Sequence, residues 1–354
     1  MNATTLPRRR LVAAAGAACL AGALPLRAGA QELTLRLHHF LPPTAPVAVR
    51  FLEPWAARLA SASKGRIKVQ LYPSMQLGGN PAQLFDQVRD GVVDVAWTLP
   101  GYTAGRFPAL EAFELPFVTR TAEGSSRALW EYHLANGLDR TELREVKVLA
   151  LHTSGPGHLH LVKRPIASLA DFRGLRLRAP SRQTTRLLSA LGATPVGIPA
   201  NQMGEALSRS LIDGVLFQWE TVPSFKIAEL VRFHSETAAG APALYNLTYL
   251  LAMNRARYDA LPPDLRQVVD DASGATASVQ GGAAQASFIE EGRKAARQAG
   301  NRINVIPAAE LKAWEKAAEP VFTAWLQEVG GKGQDGAALL RSVRALQQTW
   351  DAGA

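Results

Sequence analysis

Cysteine is almost missing from this chain: Cys19 is the only one among 354 residues, and it sits near the amino terminus. If the first thirty residues are removed, no disulfide, thiolate metal ligand or cysteine nucleophile is left, so stability must come from a large apolar core. Other carriers of chemistry are missing too. There is no Gly-x-Ser-x-Gly elbow for a serine nucleophile, no His-Glu-x-x-His for zinc, and no Gly-x-Gly-x-x-G behind a strand for a dinucleotide. Only two close histidine pairs exist, His38-His39 and His158-x-His160. The second pair shares one face of a predicted strand, but without a cysteine or acidic pair nearby it makes a weak metal site. No stripe of Lys and Arg interleaved with aromatics marks a nucleic-acid surface. After the amino-terminal segment, no apolar run reaches the roughly 20 residues that a membrane span needs.

What is present begins with an export signal. Arg8-Arg9-Arg10 precedes the short Ala- and Gly-rich run Leu11 to Leu24, and Ala28-Gly29-Ala30 offers a small-x-small cleavage site before Gln31. That is the order of a cleaved signal peptide, read by the Sec or the twin-arginine route. Gly16 stands three positions before Cys19, where a lipoprotein signal wants Leu, which argues against lipidation. Arg8, Arg9, Arg10 and Arg27 leave with the signal, so the whole-chain charge of +9 becomes +5, from 35 basic and 30 acidic residues. A modest positive excess steers anions toward a cleft; a generally Arg-rich composition explains it equally well.

The mature length allows two domains. Leu33 to His38 alternates apolar and polar as a strand does. Ala48, Leu52, Trp55 and Leu59 then recur at helical spacing up to Lys64-Gly65, with Pro54 kinking that helix or marking its start. Ile67 to Leu71 reads as a strand, Pro81 to Asp90 as a helix closed by Gly91, and Val92 to Trp97 as a strand before the Pro100-Gly101 turn. The same grammar resumes with strands at Val146 to Leu151 and His158 to Val162. A strand follows Asp171 to Arg178, and helices run from Arg182 to Leu191 and from Asn201 to Ser210. Val215 to Phe217 and Tyr245 to Met253 are further strands. Strands alternating with helices predict open, mostly parallel sheets. From Pro263 onward the pattern is helix only, over 263–299, 308–329 and 334–349.

Three stretches, in this order, resemble the solute-binding subunits of tripartite ATP-independent periplasmic (TRAP) transporters, the DctP-like family. The first is Lys64-Gly65-Arg66-Ile67-Lys68-Val69 with Tyr72-Pro73-Ser74-Met75-Gln76-Leu77-Gly78 and Val88-Arg89-Asp90-Gly91-Val92-Val93-Asp94. The second is Leu169-Ala170-Asp171-Phe172-Arg173-Gly174-Leu175-Arg176-Leu177-Arg178-Ala179-Pro180. The third is Leu191-Gly192-Ala193-Thr194-Pro195-Val196 leading to Leu211-Ile212-Asp213-Gly214. The resemblance covers most of 33–260. It implies an α/β, two-lobed periplasmic binding protein fold (type II-like) whose helical carboxy-terminal region braces both lobes. On this expectation lobe I comprises 31–151 with about 238–278, and lobe II comprises 152–237 with about 279–354.

The resemblance also implies a small organic acid as ligand, and Arg178 occupies the family's carboxylate-receiving position. A guanidinium forks onto a carboxylate through two charge-assisted bonds, which fixes orientation as well as adding energy. Many relatives carry Gln-Glu-Asn after the Asp-Gly, with the Asn on the ligand. Here Val215-Leu216-Phe217 stands there, followed by Gln218-Trp219-Glu220, which resembles a branch with an Asp-Gly-x-x-Phe-x-Trp-Glu run. Phe217 and Trp219 then favour an aromatic or branched 2-oxo or 2-hydroxy acid, with aliphatic dicarboxylates and sugar acids still open. The stretch Gly155-Pro156-Gly157-His158-Leu159-His160 lacks the arginine of the sialic-acid binders, which argues against that ligand and leaves His158 as a candidate contact. Open α/β sheets bind ligands just beyond strand ends, which adds His39, Phe40, Gln76, Trp97 and Tyr102. No catalytic residue, metal or cofactor is expected. The expected partners are the organic acid and the integral-membrane TRAP permease subunits, with the protein a periplasmic monomer that binds no nucleic acid. A ligand-sensing partner of a membrane receptor, or a periplasmic enzyme, are the rival readings.

Overall fold

A computed structural model describes residues 33–351; the export signal read in residues 1–30, with Cys19, lies outside the described residues. Eleven short strands form two sheets. The first sheet holds β1 (Leu33–His39), β2 (Ile67–Tyr72), β3 (Val95–Thr98), β4 (Val146–Thr153) and β10 (Thr248–Asn254), in the order β2-β1-β3-β10-β4. The second holds β5 (Gly157–Leu161), β6 (Arg176–Ala179), β7 (Thr194–Gly197), β8 (Gly214–Gln218), β9 (Phe233–Glu236) and β11 (Arg302–Val305), in the order β11-β9-β5-β8-β6-β7. Helices cover both sheets, so the chain is a two-lobed α/β protein with a core in each lobe.

Local sequence explains the elements where it is strong. Pro54 lacks an N–H, and a π-helical turn at Ala48–Leu52 runs into the α-helix Glu53–Ala62 with Pro54 in its first turn, where the missing donor costs least. Asn80 caps the next helical segment with a reciprocal bond to Gln83, and Pro81 follows in the first turn. Ser181 caps the helix Arg182–Ala190.

The sheets are mixed rather than mostly parallel. β10 runs antiparallel to β3 and β4, and β5 antiparallel to β8 and β9. The reason is the route of the chain: β4 leads into the second lobe through β5, and β10 brings the chain back beside β4 in the opposite sense. The helix-only tail is also interrupted. Arg302–Val305 pairs parallel with β9 as an edge strand, and four residues are too few to show a period.

The two crossing segments bond to each other. The Ser154 N–H donates to the Leu247 carbonyl at 3.0 Å, and the Gly157 N–H to the Tyr245 carbonyl at 3.0 Å. A third crossing runs from the helix Gly274–Ala286, beside β4, to the helix Ile289–Gln298, which packs under Trp219. The tail then touches both lobes. Trp325 donates to the Pro108 carbonyl at 2.7 Å, Trp314 packs edge-on against Phe172, and Asp351 accepts from Ser125 and the Arg120 N–H. No described helix is long and apolar enough to cross a membrane.

Candidate ligand cleft

A cavity of about 480 Å³ opens where the lobes meet, lined from the first by Asn80 and Tyr102 and from the second by Ser181, Arg182, Ile198 and Gln202. Its inner wall is built from strand ends. Tyr102 lies just past β3, buried except for a small part, and its phenol oxygen accepts from the Ala200 N–H of the opposite lobe at 3.0 Å. The Arg178 guanidinium, on β6, also reaches that oxygen.

Arg178 is only 1% exposed. Its Nε donates to the Ile198 carbonyl at 3.0 Å and one terminal nitrogen donates to the Leu216 carbonyl at 3.0 Å. These bonds fix the plane of the guanidinium without neutralising it, and among the described residues no carboxylate forms an ion pair with it. A buried, uncompensated charge is costly by several kcal/mol. An anion arriving from solvent is what such a group suits. Phe217 lies beside it, with the Arg178 Cζ 5.8 Å from the ring centre, and packs edge-on against Phe225 at 5.4 Å.

Behind Tyr102, which alone among the described aromatic residues of the first lobe lines the cavity, lies an aromatic cluster. Phe40 packs against Trp97 at 5.2 Å and Tyr102 at 5.4 Å. Trp97 stacks on Tyr249 at 4.6 Å, and its indole N–H donates to His152 Nε2 at 2.8 Å. Burial holds His152 down to about 4, so it stays neutral and can accept that bond. His39 sits opposite Trp97 in the β1–β3 register, buried, with neither ring nitrogen partnered. Burial, then the charge of His38, brings its pKa down to about 4.

Other sequence candidates sit elsewhere. Gln76 is exposed in the turn after β2. Trp219 is fully buried: its indole donates to Glu236 at 2.7 Å, and its ring meets His158, His160 and His234. His158 lies opposite Phe217 in the β5–β8 register; burial, then Arg293 and His234, push it down to about 3. Among the described residues no group of three or more His, Cys, Asp or Glu could hold a metal ion.

Behind Phe217 the histidines form a one-way hydrogen-bond chain. The Asn301 amide donates to the Ala228 carbonyl at 2.8 Å and faces His234 Nε2 at 3.1 Å. Since that amide nitrogen only donates, His234 Nε2 accepts and its proton sits on Nδ1. This proton bonds to His160 Nδ1 at 2.6 Å, which leaves His160 Nε2–H to donate to the Phe217 carbonyl at 3.2 Å.

Three further residues complete the surroundings: Glu220, the end of the Asp-Gly-x-x-Phe-x-Trp-Glu run though not singled out as a site, and Tyr245 and Tyr249, which no sequence signal marked as site residues. Tyr245 and Tyr249 sit on and beside β10, and Glu220 follows β8; all are buried. Burial raises Tyr245 and Tyr249 well above the ordinary tyrosine value, with Arg178, Glu220 and Tyr102 near enough to act on both. Burial raises the Glu220 carboxyl to about 7, against its bond from the Gly155 N–H at 2.8 Å. A buried Glu and two strand tyrosines look, in one dimension, like any core or strand-end residues.

A clasp closes the mouth of the cleft. Glu111, from the first lobe, accepts from Arg182 and from Gln183 at 2.6 Å. Arg182 also pairs with Glu328 of the tail, as does Arg186 at 2.9 Å. Beside it Glu114 accepts from the Thr248 hydroxyl at 2.8 Å and from Ser181. Burial, then Glu111, raises Glu114 to about 7.

Residues 37–328 match the family described as bacterial extracellular solute-binding protein, family 7 (DctP). A TRAP solute-binding protein from Rhodoferax ferrireducens, solved with copurified benzoate, is 45% identical with a TM-score of 0.88, over 90% of this chain and 99% of that one. A marine-metagenome TRAP solute-binding protein specific for aromatic acid ligands, solved with 3-hydroxybenzoate, is 40% identical with a TM-score of 0.87, over 91% and 99%. The Comamonas testosteroni protein named outer membrane transporter protein TsaT is 30% identical over 338 residues, 96% of this chain and 97% of its own length.

Proposed function

The chain belongs to the DctP family of bacterial extracellular solute-binding proteins, and from that premise we propose that it captures an aromatic carboxylate between its lobes. Arg178 receives the carboxylate. Phe217 from the second lobe and Phe40, Trp97 and Tyr102 from the first enclose the ring. The observation that carries this reading is the buried Arg178 guanidinium, oriented by the carbonyls of Ile198 and Leu216 and unpaired with any described carboxylate, beside Phe217, Tyr102 and the aromatic cluster behind Tyr102. The benzoate and 3-hydroxybenzoate carried by two similar structures support the same ligand class.

The protein works in the periplasm, exported by its amino-terminal signal. It acts as a monomer, delivers the acid unchanged to the membrane subunits of a TRAP transporter, and turns nothing over. Lobe I is built on 31–151 with about 238–278 and lobe II on 152–237 with about 279–354, and the tail packs on both.

Thermal unfolding with and without benzoate tests the reading. At 100 times its dissociation constant a ligand of the folded state adds about 2.7 kcal/mol of stability, read as a raised Tm. The shift is expected with benzoate and is expected to vanish in Arg178→Ala. A shift of equal size in Arg178→Ala would remove Arg178 as the anchor, and no shift with any aromatic acid would overturn the ligand class.

A further inference from the structure

Three buried polar atoms without a hydrogen-bond partner surround one turn of the chain. They are the Tyr245 hydroxyl, Glu220 Oε2 and Gln218 Nε2, on side chains that are each 1% exposed or less. The turn is Gly155-Pro156-Gly157, the crossing from β4 to β5. The Gly155 N–H holds Glu220 Oε1, and a Cβ on Gly155 would stand 2.8 Å from Glu220 Oε2. A Cβ on Gly157 would stand 2.1 Å from the Tyr245 ring, and Gly157 is paired in register with Gln218. The missing side chains therefore let a carboxyl and a phenol ring crowd against the same stretch of backbone, beside the strand that carries Gln218. Leaving a buried polar group unsatisfied destabilises the folded protein, so each of the three suits a partner that arrives from outside the chain.

We infer that Tyr245, Glu220 and Gln218 form a second recognition point in the cleft, one that reads a hydroxyl group on the aromatic acid held by Arg178. The inference rests on the reading of Arg178 as the carboxylate anchor. Its chemistry is a matter of counting. Above the Glu220 value of about 7 the carboxyl is ionised, and then the Tyr245 O–H and the Gln218 N–H donate and Glu220 Oε2 accepts. A hydroxyl oxygen accepts two hydrogen bonds and donates one, which complements this set. A ring hydrogen satisfies none of the three. A second carboxylate would accept from Tyr245 and Gln218 but would set its charge against that of the ionised Glu220. Tyr245 also lies in the field of both Arg178 and Glu220, which ties the hydroxyl end to the carboxylate end. The preferred ligand is thus a hydroxylated aromatic monocarboxylate.

Calorimetric titration of the purified full-length protein with benzoate and with 2-, 3- and 4-hydroxybenzoate tests this. At least one hydroxy isomer is expected to bind about tenfold or more tighter than benzoate, the scale of one well-made buried hydrogen bond. Tyr245→Phe and Glu220→Gln are expected to bring that ratio close to one while benzoate affinity changes little. Equal affinity for benzoate and every hydroxy isomer would overturn the inference and leave a bound water as the partner of the three groups. So would variants that weaken all four acids alike, which is the signature of a merely structural role. Failure of every acid to bind would overturn the aromatic-acid reading together with this one. A hydroxyl preference that survives Arg178→Ala would displace the anchor and keep the hydroxyl-reading point.

Discussion

At the scale of single residues, the cleft depends on side chains whose burial makes sense only with a partner. Arg178 is the clearest case, a charged group with two backbone carbonyls and no described acid beside it. Its identity was legible in the chain, because the motif from Asp171 to Pro180 places an arginine there. The setting of Phe217 was partly legible, as an aromatic two positions from Val215 on a strand. Trp219, three residues before Val222, read the same way along the chain, yet it is packed among His158, His160 and His234. Spacing cannot distinguish a ring that meets a guanidinium from one that meets a histidine cluster. The small residues matter as much as the large. Gly157→Ala sets a Cβ 2.1 Å from the fully buried Tyr245 ring, so something must shift. Overpacking of this kind costs about 1–3 kcal/mol, so a lowered Tm is expected in thermal unfolding without ligand. An unchanged Tm would mean that Tyr245 can move away freely, and would weaken its role in the cleft.

At the scale of elements, the second sheet carries a buried histidine chain along β5 and β9. Burial brings His158 down to about 3 and His234 to about 4, and pushes His160 well below its ordinary value. Unfolded histidines take up protons near their ordinary value of about 6.5 while these do not, so their contribution is complete above that pH and is lost as pH falls toward the folded values. Glu114, Glu142 and Glu220 act in the opposite sense. Burial raises each to about 7, so the folded protein keeps protons that the unfolded chain releases near 4.5. Their contribution is present below about 4.5 and is lost as pH rises through 7. The glutamates offset the histidines only in part between roughly 4.5 and 6.5, because His39 and His152 are also brought down to about 4. Below that window the histidines are joined by Asp171 and Asp213, which bonds from Ala167 and Arg176 hold below their ordinary value. Tm is therefore expected to fall gently with pH across the window and steeply beneath it, with a shallower fall in His234→Gln. A flat Tm down to pH 3.5 would contradict the neutral, one-way chain from Asn301 to Phe217.

At the scale of the whole molecule, the lobes are joined by three chain crossings and held together at the cleft mouth by Glu111, Arg182 and Glu328. Arg182 is gripped from the first lobe by Glu111 and from the tail by Glu328, so it acts only when the lobes are together. Arg182→Ala leaves the buried Glu111 with Gln183 alone. Removing one member of a buried pair costs about 3–5 kcal/mol, and lobe separation relieves that cost by hydrating Glu111. The variant is expected to show a larger radius of gyration in small-angle scattering without ligand and a faster release of aromatic acids. If both match the unaltered protein, the clasp does not govern closure.

Much of the architecture was already determined by the one-dimensional pattern. The alternation at Leu33–His38 and Ile67–Leu71 and the proline near the start of Pro81–Asp90 each follow from local forces acting over a few residues. So does the identity of Arg178, through a motif that keeps its neighbours in order. Asn201, expected to cap the next helix, instead lies inside a turn, and Gln202 precedes that helix without a side-chain cap. What sequence pattern missed are quantities that depend on residues far apart in the chain. The antiparallel course of β5 and β10 depends on where the chain crosses between lobes. The edge strand Arg302–Val305 exists because β9 offers it a partner, and Glu220 and Tyr245 come against one turn only because Gly155-Pro156-Gly157 carries the chain from β4 to β5 beside them. Local propensity acts through neighbours in sequence, whereas burial and unmet hydrogen bonds arise only when distant segments close around the same space; the tertiary structure alone decided those.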